Sequence, residues 1–183
     1  LNDPYFTTYY NHIANYLKEN NGKLTNTALY TEYSKMILVM TAIGKDPRDV
    51  AGYNLFSYLS NFDNVTKQGI NGPIWALIAV NSKEEYDFPQ ISGVSNLTTK
   101  QKLLNCILDA ECSGGGWTMQ GDYADPDITG MALQALATFY NKSGYENVTA
   151  AINRAINKLS TIQNSTGGYS TMNVETSESC AQV

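Results

Sequence analysis

Residues Gly114–Tyr140 read GGGWTMQGDYADPDITGMALQALATFY, a glycine-rich turn, an aromatic residue, a carboxylate cluster and then an apolar run. The run predicts a helix over 126–140. Apolar residues at 128, 131, 132, 135, 136 and 139 form one helical face, and Leu133, Ala137 and Tyr140 fill a second, interrupted only by Gln134. A helix that is apolar on both sides has protein on both sides, so this one belongs to an inner layer. Asp125 stands at the N-cap position, Pro126 at the first helical position has no N–H to lose, and Asp127 lies in the positive first turn.

Working outward, the chain alternates two kinds of helix. Pro4–Lys18 carries an aromatic stripe (Tyr5, Tyr9, Ile13, Tyr16, Leu17) on one side and is amphipathic. The second helix ends in Met36–Ile43, apolar on all sides, and stops at Gly44. A third, over 48–62, aligns Ala51, Leu55, Tyr58, Leu59 and Phe62, while Gly72–Val80 is wholly apolar again. Residues 81–97 form a connection long enough to predict a short extra helix over 84–88. Thr98–Ala110 and Asn147–Gln163 are amphipathic, and an eighth helix opens near the chain end. Gly22, Gly69, Gly116 and Gly168 each follow an amphipathic helix and precede an apolar one, at intervals of 47, 47 and 52 residues. The repeat unit is therefore outer helix, glycine turn, inner helix. One unit cannot cover both faces of its inner helix, but units stacked around an axis can, which predicts an all-α, two-layer αα array of about eight helices.

Composition narrows the function classes. The chain has 183 residues, 43% of them hydrophobic and 16% charged, enough for one sizeable core in a single domain spanning 1–183. A net charge of −5, with 12 dispersed Lys and Arg, argues against nucleic-acid binding, because phosphate affinity needs clustered cations. No apolar run approaches the ~20 residues of a membrane span. Cys106, Cys112 and Cys180 leave one thiol unpaired whatever their state. Five Asn-Xaa-Ser/Thr triplets, at Asn64, Asn96, Asn141, Asn147 and Asn164, are what a chain rich in these residues produces by chance. Absence of an initiator Met and an end inside an opening helix lead us to expect a fragment, truncated at both ends.

Gln163, Gly167, Gly168 and Tyr169, their copy Gly115, Gly116 and Trp117, and the run Asp125-Pro126-Asp127-Ile128-Thr129-Gly130 together resemble the terpenoid cyclase and protein prenyltransferase αα-toroid superfamily, with its squalene-oxidase-type repeats. The resemblance covers nearly the whole chain. It is nearest to toroid domains of secreted, wall-associated bacterial proteins, and so implies a secreted or cell-wall setting and an incomplete toroid. An incomplete toroid leaves inner helices without neighbours, which predicts self-association. In the family's repeat, the glycines and the aromatic residue after them are structural, locking the turn to the neighbouring helix.

The resemblance implies three activities, each with its own residue requirement. Class II cyclases use the middle Asp of an Asp-Xaa-Asp-Asp motif as general acid; Asp127 takes that position, with Ile128 where the last Asp would stand. The plain alternative is a capped helix start, Asp125 the cap and Asp127 in the first turn. Prenyltransferases hold zinc through Asp, Cys and His. The only histidine, His12, lies on the first helix, away from any cysteine in ligand spacing, so we expect no metal and no cofactor. Cys112-Ser113-Gly114-Gly115 does not match a thioester sequence, and a cobalamin-type carrier has only the shared fold in its favour. Asp122, Asp125 and Asp127 match no calcium loop. The leading expectation is thus a non-catalytic binding or scaffold module whose ligand is a small molecule, glycan or protein. It would be met by Asp122, Tyr123, Asp125 and Trp75, with the cyclase reading as the alternative.

Overall fold

The computed structural model describes residues 3–26, 28–171 and 174–183. Among these the chain forms eight α-helices: α1 (Pro4–Glu19), α2 (Tyr30–Ala42), α3 (Phe62–Val65), α4 (Asn71–Asn81), α5 (Lys100–Asp109), α6 (Pro126–Leu136), α7 (Glu146–Ile162) and α8 (Ser177–Gln182). Short 3-10 turns occupy Leu55–Leu59, Thr66–Gln68 and Ala137–Phe139, and one small antiparallel hairpin pairs β1 (Ser170–Thr171) with β2 (Val174–Glu175). The protein is all-α in class.

Side-chain caps set several of the helix starts. Asp3, Thr99, Asp125 and Thr176 each accept a backbone N–H from the first turn of the helix that follows, satisfying a donor that has no intrahelical partner. The apolar pattern sets the layers. In α4, Gly72, Pro73, Ile74, Ala76, Leu77, Ala79 and Val80 are all buried, because α2 lies against one side, α6 against another and α5 covers a third. In turn α6 meets α4, α7 and α8. The apolar helices α2, α4 and α6 therefore stand in contact in chain order, the short polar α8 (SESCAQ) continues the row beside α6, and the amphipathic α5 and α7 cover α4 and α6. At Gly130 the backbone of α8 comes so close that a Cβ would sit 2.5 Å from the Gln182 carbonyl oxygen, so a side chain there would push the two helices apart. Each fully buried Leu or Ile of this core contributes roughly 1.5–3 kcal/mol of transfer free energy.

Three expectations fail locally. Residues 48–62 do not form one helix. Val50 pairs with Tyr53 in a tight bridge, Ala51 adopts φ +56°, and Asn54 and Asn61 each cap a separate short turn at Leu55–Leu59 and Phe62–Val65. Leu55 and Leu59 are buried as expected, yet by a 3-10 turn. The segment 84–88 makes no helix either: a turn closed by Tyr86 N–H to Lys83 C=O (3.2 Å) leads into a strap pinned by Tyr86 and Phe88, whose rings meet Phe56 at 5.1 and 6.1 Å. The Tyr86 hydroxyl also lies 3.2 Å from that of Thr41, so the connection is fixed by burial and needs no helix of its own. The third departure is in α6, which ends at Leu136 and tightens into the 3-10 turn before Tyr140.

Candidate functional site

The two glycine-aromatic loops repeat each other at the level of hydrogen bonds. In the first, Cys112 N–H donates to Gly116 C=O (2.9 Å) and Gly115 N–H to Cys112 C=O (2.8 Å). In the second, Asn164 N–H donates to Gly168 C=O (2.8 Å) and Gly167 N–H to Asn164 C=O (2.9 Å). The aromatic residue that follows is tied to the next helix in both. Asp125 N–H reaches Trp117 C=O at 2.9 Å, and Thr176 N–H reaches Tyr169 C=O at 3.3 Å. Trp117 N–H donates to Thr129 Oγ1 (2.9 Å), whereas Tyr169 N–H meets Cys180 Sγ (3.4 Å). Trp117 is fully buried and its ring N–H reaches the Ile107 carbonyl at 2.7 Å, so it joins α5 to α6. Gly116 has φ +80°, and a Cβ there would lie 2.8 Å from the Ala124 methyl, which is why only glycine fits.

An open cleft of about 920 Å³ lies between these loop copies. One wall comes from Thr118, Gln120 and Tyr123 after the first loop, and the opposite wall from Ile162, Asn164, Ser170 and Thr171 of the second. Asp125, Pro126, Asp127 and Ile128, the start of α6, complete the lining. Asp125 is held on both oxygens: Oδ1 accepts the Ile128 N–H (3.0 Å) and Oδ2 the Thr171 hydroxyl (3.4 Å). Thr171 lies 3.1 Å from the buried Ser179 hydroxyl, so a line of hydroxyls runs from the cleft into the start of α8. Asp127 is half-buried, and its Oδ1 is enclosed without a hydrogen-bond partner among the described residues. Tyr123 is 69% exposed, with Lys158 Nζ 4.9 Å from its ring centroid.

Two of the four expected ligand residues line the cleft and two do not. Asp125 and Tyr123 line the cleft. Asp122 points to Ser113 instead, accepting from its backbone N–H (2.7 Å) and its hydroxyl. Those two donors, the hydroxyl first, hold the Asp122 carboxyl below its ordinary value of 3.8. Trp75 sits on α4 under Lys35 Nζ (5.5 Å from the ring) and is not part of the cleft lining. Asn164, Ser170 and Thr171 escaped the sequence reading, although the repeat register of 164 with 112 was a signal that a second loop would stand beside the first. Glu111, just before the first loop, accepts a fork from Arg154 of α7 at 2.7 and 2.6 Å, anchoring the loop.

Chemically, the cleft offers hydroxyl, amide and carboxylate groups beside one exposed aromatic ring. Among the described residues its lining holds two carboxyl groups and no Lys, Arg or His. Among the described residues, no group of three or more His, Cys, Asp or Glu side chains is arranged to hold a metal ion, and no helix is long and apolar enough to cross a membrane. Comparisons with protein-family models, curated proteins and solved structures each found no match.

Proposed function

We propose that the chain is a non-catalytic binding module, part of a terpenoid cyclase-like αα-toroid, and that its ligand is a neutral or amine-bearing glycan held in the cleft between the two loops. The observation that carries this reading is the cleft's chemistry: Gln120, Asn164, Ser170, Thr171 and two carboxylates facing one open space, with the exposed Tyr123 ring at its edge. Sugars present hydroxyls to polar side chains and an apolar C–H face to an aromatic ring, and both are on offer here. The side-by-side order of α2, α4, α6 and α8 under α5 and α7 supports the toroid arrangement. The resemblance of the repeats supports a secreted or cell-surface setting.

Calorimetric titration with neutral and amino-sugar hexaoses tests this. At least one is expected to bind, and Tyr123→Ala, a change at an exposed position, is expected to weaken it roughly tenfold, the scale of one stacking contact. A panel with no binder would sink the reading.

Class II-like cyclisation with Asp127 as acid is the second reading, and one observation favours it: Asp127 reaches the cleft and has a buried oxygen with no hydrogen-bond donor among the described residues. Against it stands the wall, because a carbocation needs an enclosed, aromatic pocket and, among the described residues, Tyr123 is the only aromatic one in the lining. Cyclised product from squalene or a polyprenyl substrate, lost in Asp127→Asn, would replace the binding reading with this one. A cobalamin-type carrier would show itself as a spectral change on corrinoid titration.

A further inference from the structure

A second cavity of about 550 Å³ lies at the other end of α6, where the last residue of α4, the start of α5, the turn 137–139 and the start of α7 converge. Its charge is opposite to that of the first cleft. Lys83, Lys100 and Lys142 line it against a single acid, Glu84, in a chain whose net charge is −5. Among the described residues the ion pairs are Lys35–Glu32, Arg48–Asp46 and Arg154–Glu111, so none of these three lysines is in a direct ion pair, although Lys83 Nζ lies 5.7 Å from the Tyr86 ring centroid. Three lysines against one carboxylate leave the cavity lining with an excess of positive charge, which a bound anion would offset.

Two further features bear on what the anion is. Thr99 Oγ1 takes the Lys102 N–H at the start of the ten-residue α5, and Leu103 N–H goes to Thr99 C=O. This leaves the N–H groups of Lys100 and Gln101 for an outside acceptor, and both residues line the cavity. The floor is apolar: Leu104 is 2% exposed, and the Phe139 and Tyr145 rings pack with centroids 4.9 Å apart. Asn81 Nδ2 donates to Thr138 Oγ1 (3.2 Å) and ties the end of α4 to the turn, so the cavity walls are joined to each other. We propose that this cavity is a binding site for a phosphate monoester with an aromatic or apolar body, the phosphate meeting Lys100, Lys142 and the start of α5, the body resting on Leu104, Phe139 and Tyr145.

The test is an amide-resolved NMR titration in dilute, phosphate-free buffer with phenyl phosphate, inorganic phosphate and phenol. Saturable shifts at Lys100, Gln101 and Tyr145 are expected with phenyl phosphate. Inorganic phosphate should move the same amides with weaker affinity, and phenol should leave them still at equal concentration. Lys100→Gln and Lys142→Gln are each expected to weaken phenyl phosphate roughly three- to tenfold, the range for a partly screened charge contact. Lys35→Gln, on α2 and already ion-paired, should change nothing. Shifts that never saturate, that spread over all the lysines, that fall equally in Lys35→Gln, or that phenol reproduces would overturn the proposal.

Discussion

Replacing Thr129 by Val keeps the shape of a fully buried side chain and removes its hydroxyl. That hydroxyl accepts the Trp117 N–H at 2.9 Å and donates to the Trp117 carbonyl at 3.1 Å. The carbonyl keeps a second partner, the Asp125 N–H at 2.9 Å, so its loss is small. The N–H belongs to a residue with no solvent exposure and is left without an acceptor, which costs about 1–3 kcal/mol. Taking about 2 kcal/mol and the roughly 2–4 °C per kcal/mol of a domain this size, Tm should fall by about 4–8 °C. Calorimetry with urea unfolding at an unchanged m-value measures it. The repeat supplies an internal control. At the equivalent position Tyr169 N–H meets only a sulfur, a weak acceptor, at 3.4 Å, so Cys180→Ala should cost less than Thr129→Val. A Thr129→Val loss below about 0.5 kcal/mol, the level of an ordinary surface change, or a larger loss in Cys180→Ala, would refute the reasoning.

Asp122 is fully exposed and its carboxyl is held low by Ser113, so its tie to the loop is present above its ordinary value of 3.8 and disappears as pH falls through the lower folded value. Carbon-detected NMR should find that folded value below 3.8, and Ser113→Ala should raise it; an unchanged titration in the variant would remove Ser113 as the cause. Thiol labelling should be fast at the exposed Cys180 and slow at Cys112 and Cys106, where burial first and a nearby carboxylate second push the thiols up; equal rates would contradict that. Leu77→Ala, in the middle of α4 with no solvent exposure, should cost about 2–5 kcal/mol by denaturant unfolding, and a cost under 1 would mean that α4 is not enclosed as described.

Helix identity was legible where the apolar period was unbroken and no side-chain cap interrupted it. The stripe of Val148, Ala151, Ile152, Ala155 and Leu159 marked α7, and the cap at Asp125 marked the start of α6, because both signals are local. Residues 48–62 carried the same helical period and did not become one helix. Leu55 and Leu59 are buried as the period requires and Ala51, Tyr58 and Phe62 only partly so, while Asn54 and Asn61 bond their own backbones two residues on and restart the chain each time. The strap around Tyr86 is a tertiary result, fixed by Phe56 and Thr41, which lie about 30 and 45 residues earlier and leave no mark on the local sequence. The first wall of the cleft was legible from its own motif. Its second wall was not, since Asn164 and Thr171 matter only once the loop copies stand side by side. Trp75 misled because an aromatic residue in an apolar helix reads the same whether it faces a cavity or lies under a lysine.

The cleft between the loop copies is the centre of the functional reading, and chemical-shift mapping with a hexaose identified in the titration panel tests it most directly. Shifts confined to 118–128 and 162–171, with the lysine-lined cavity at 100, 101 and 142 undisturbed, are the expected result. Saturable shifts centred anywhere else on the molecule, with the start of α6 unmoved, would contradict it.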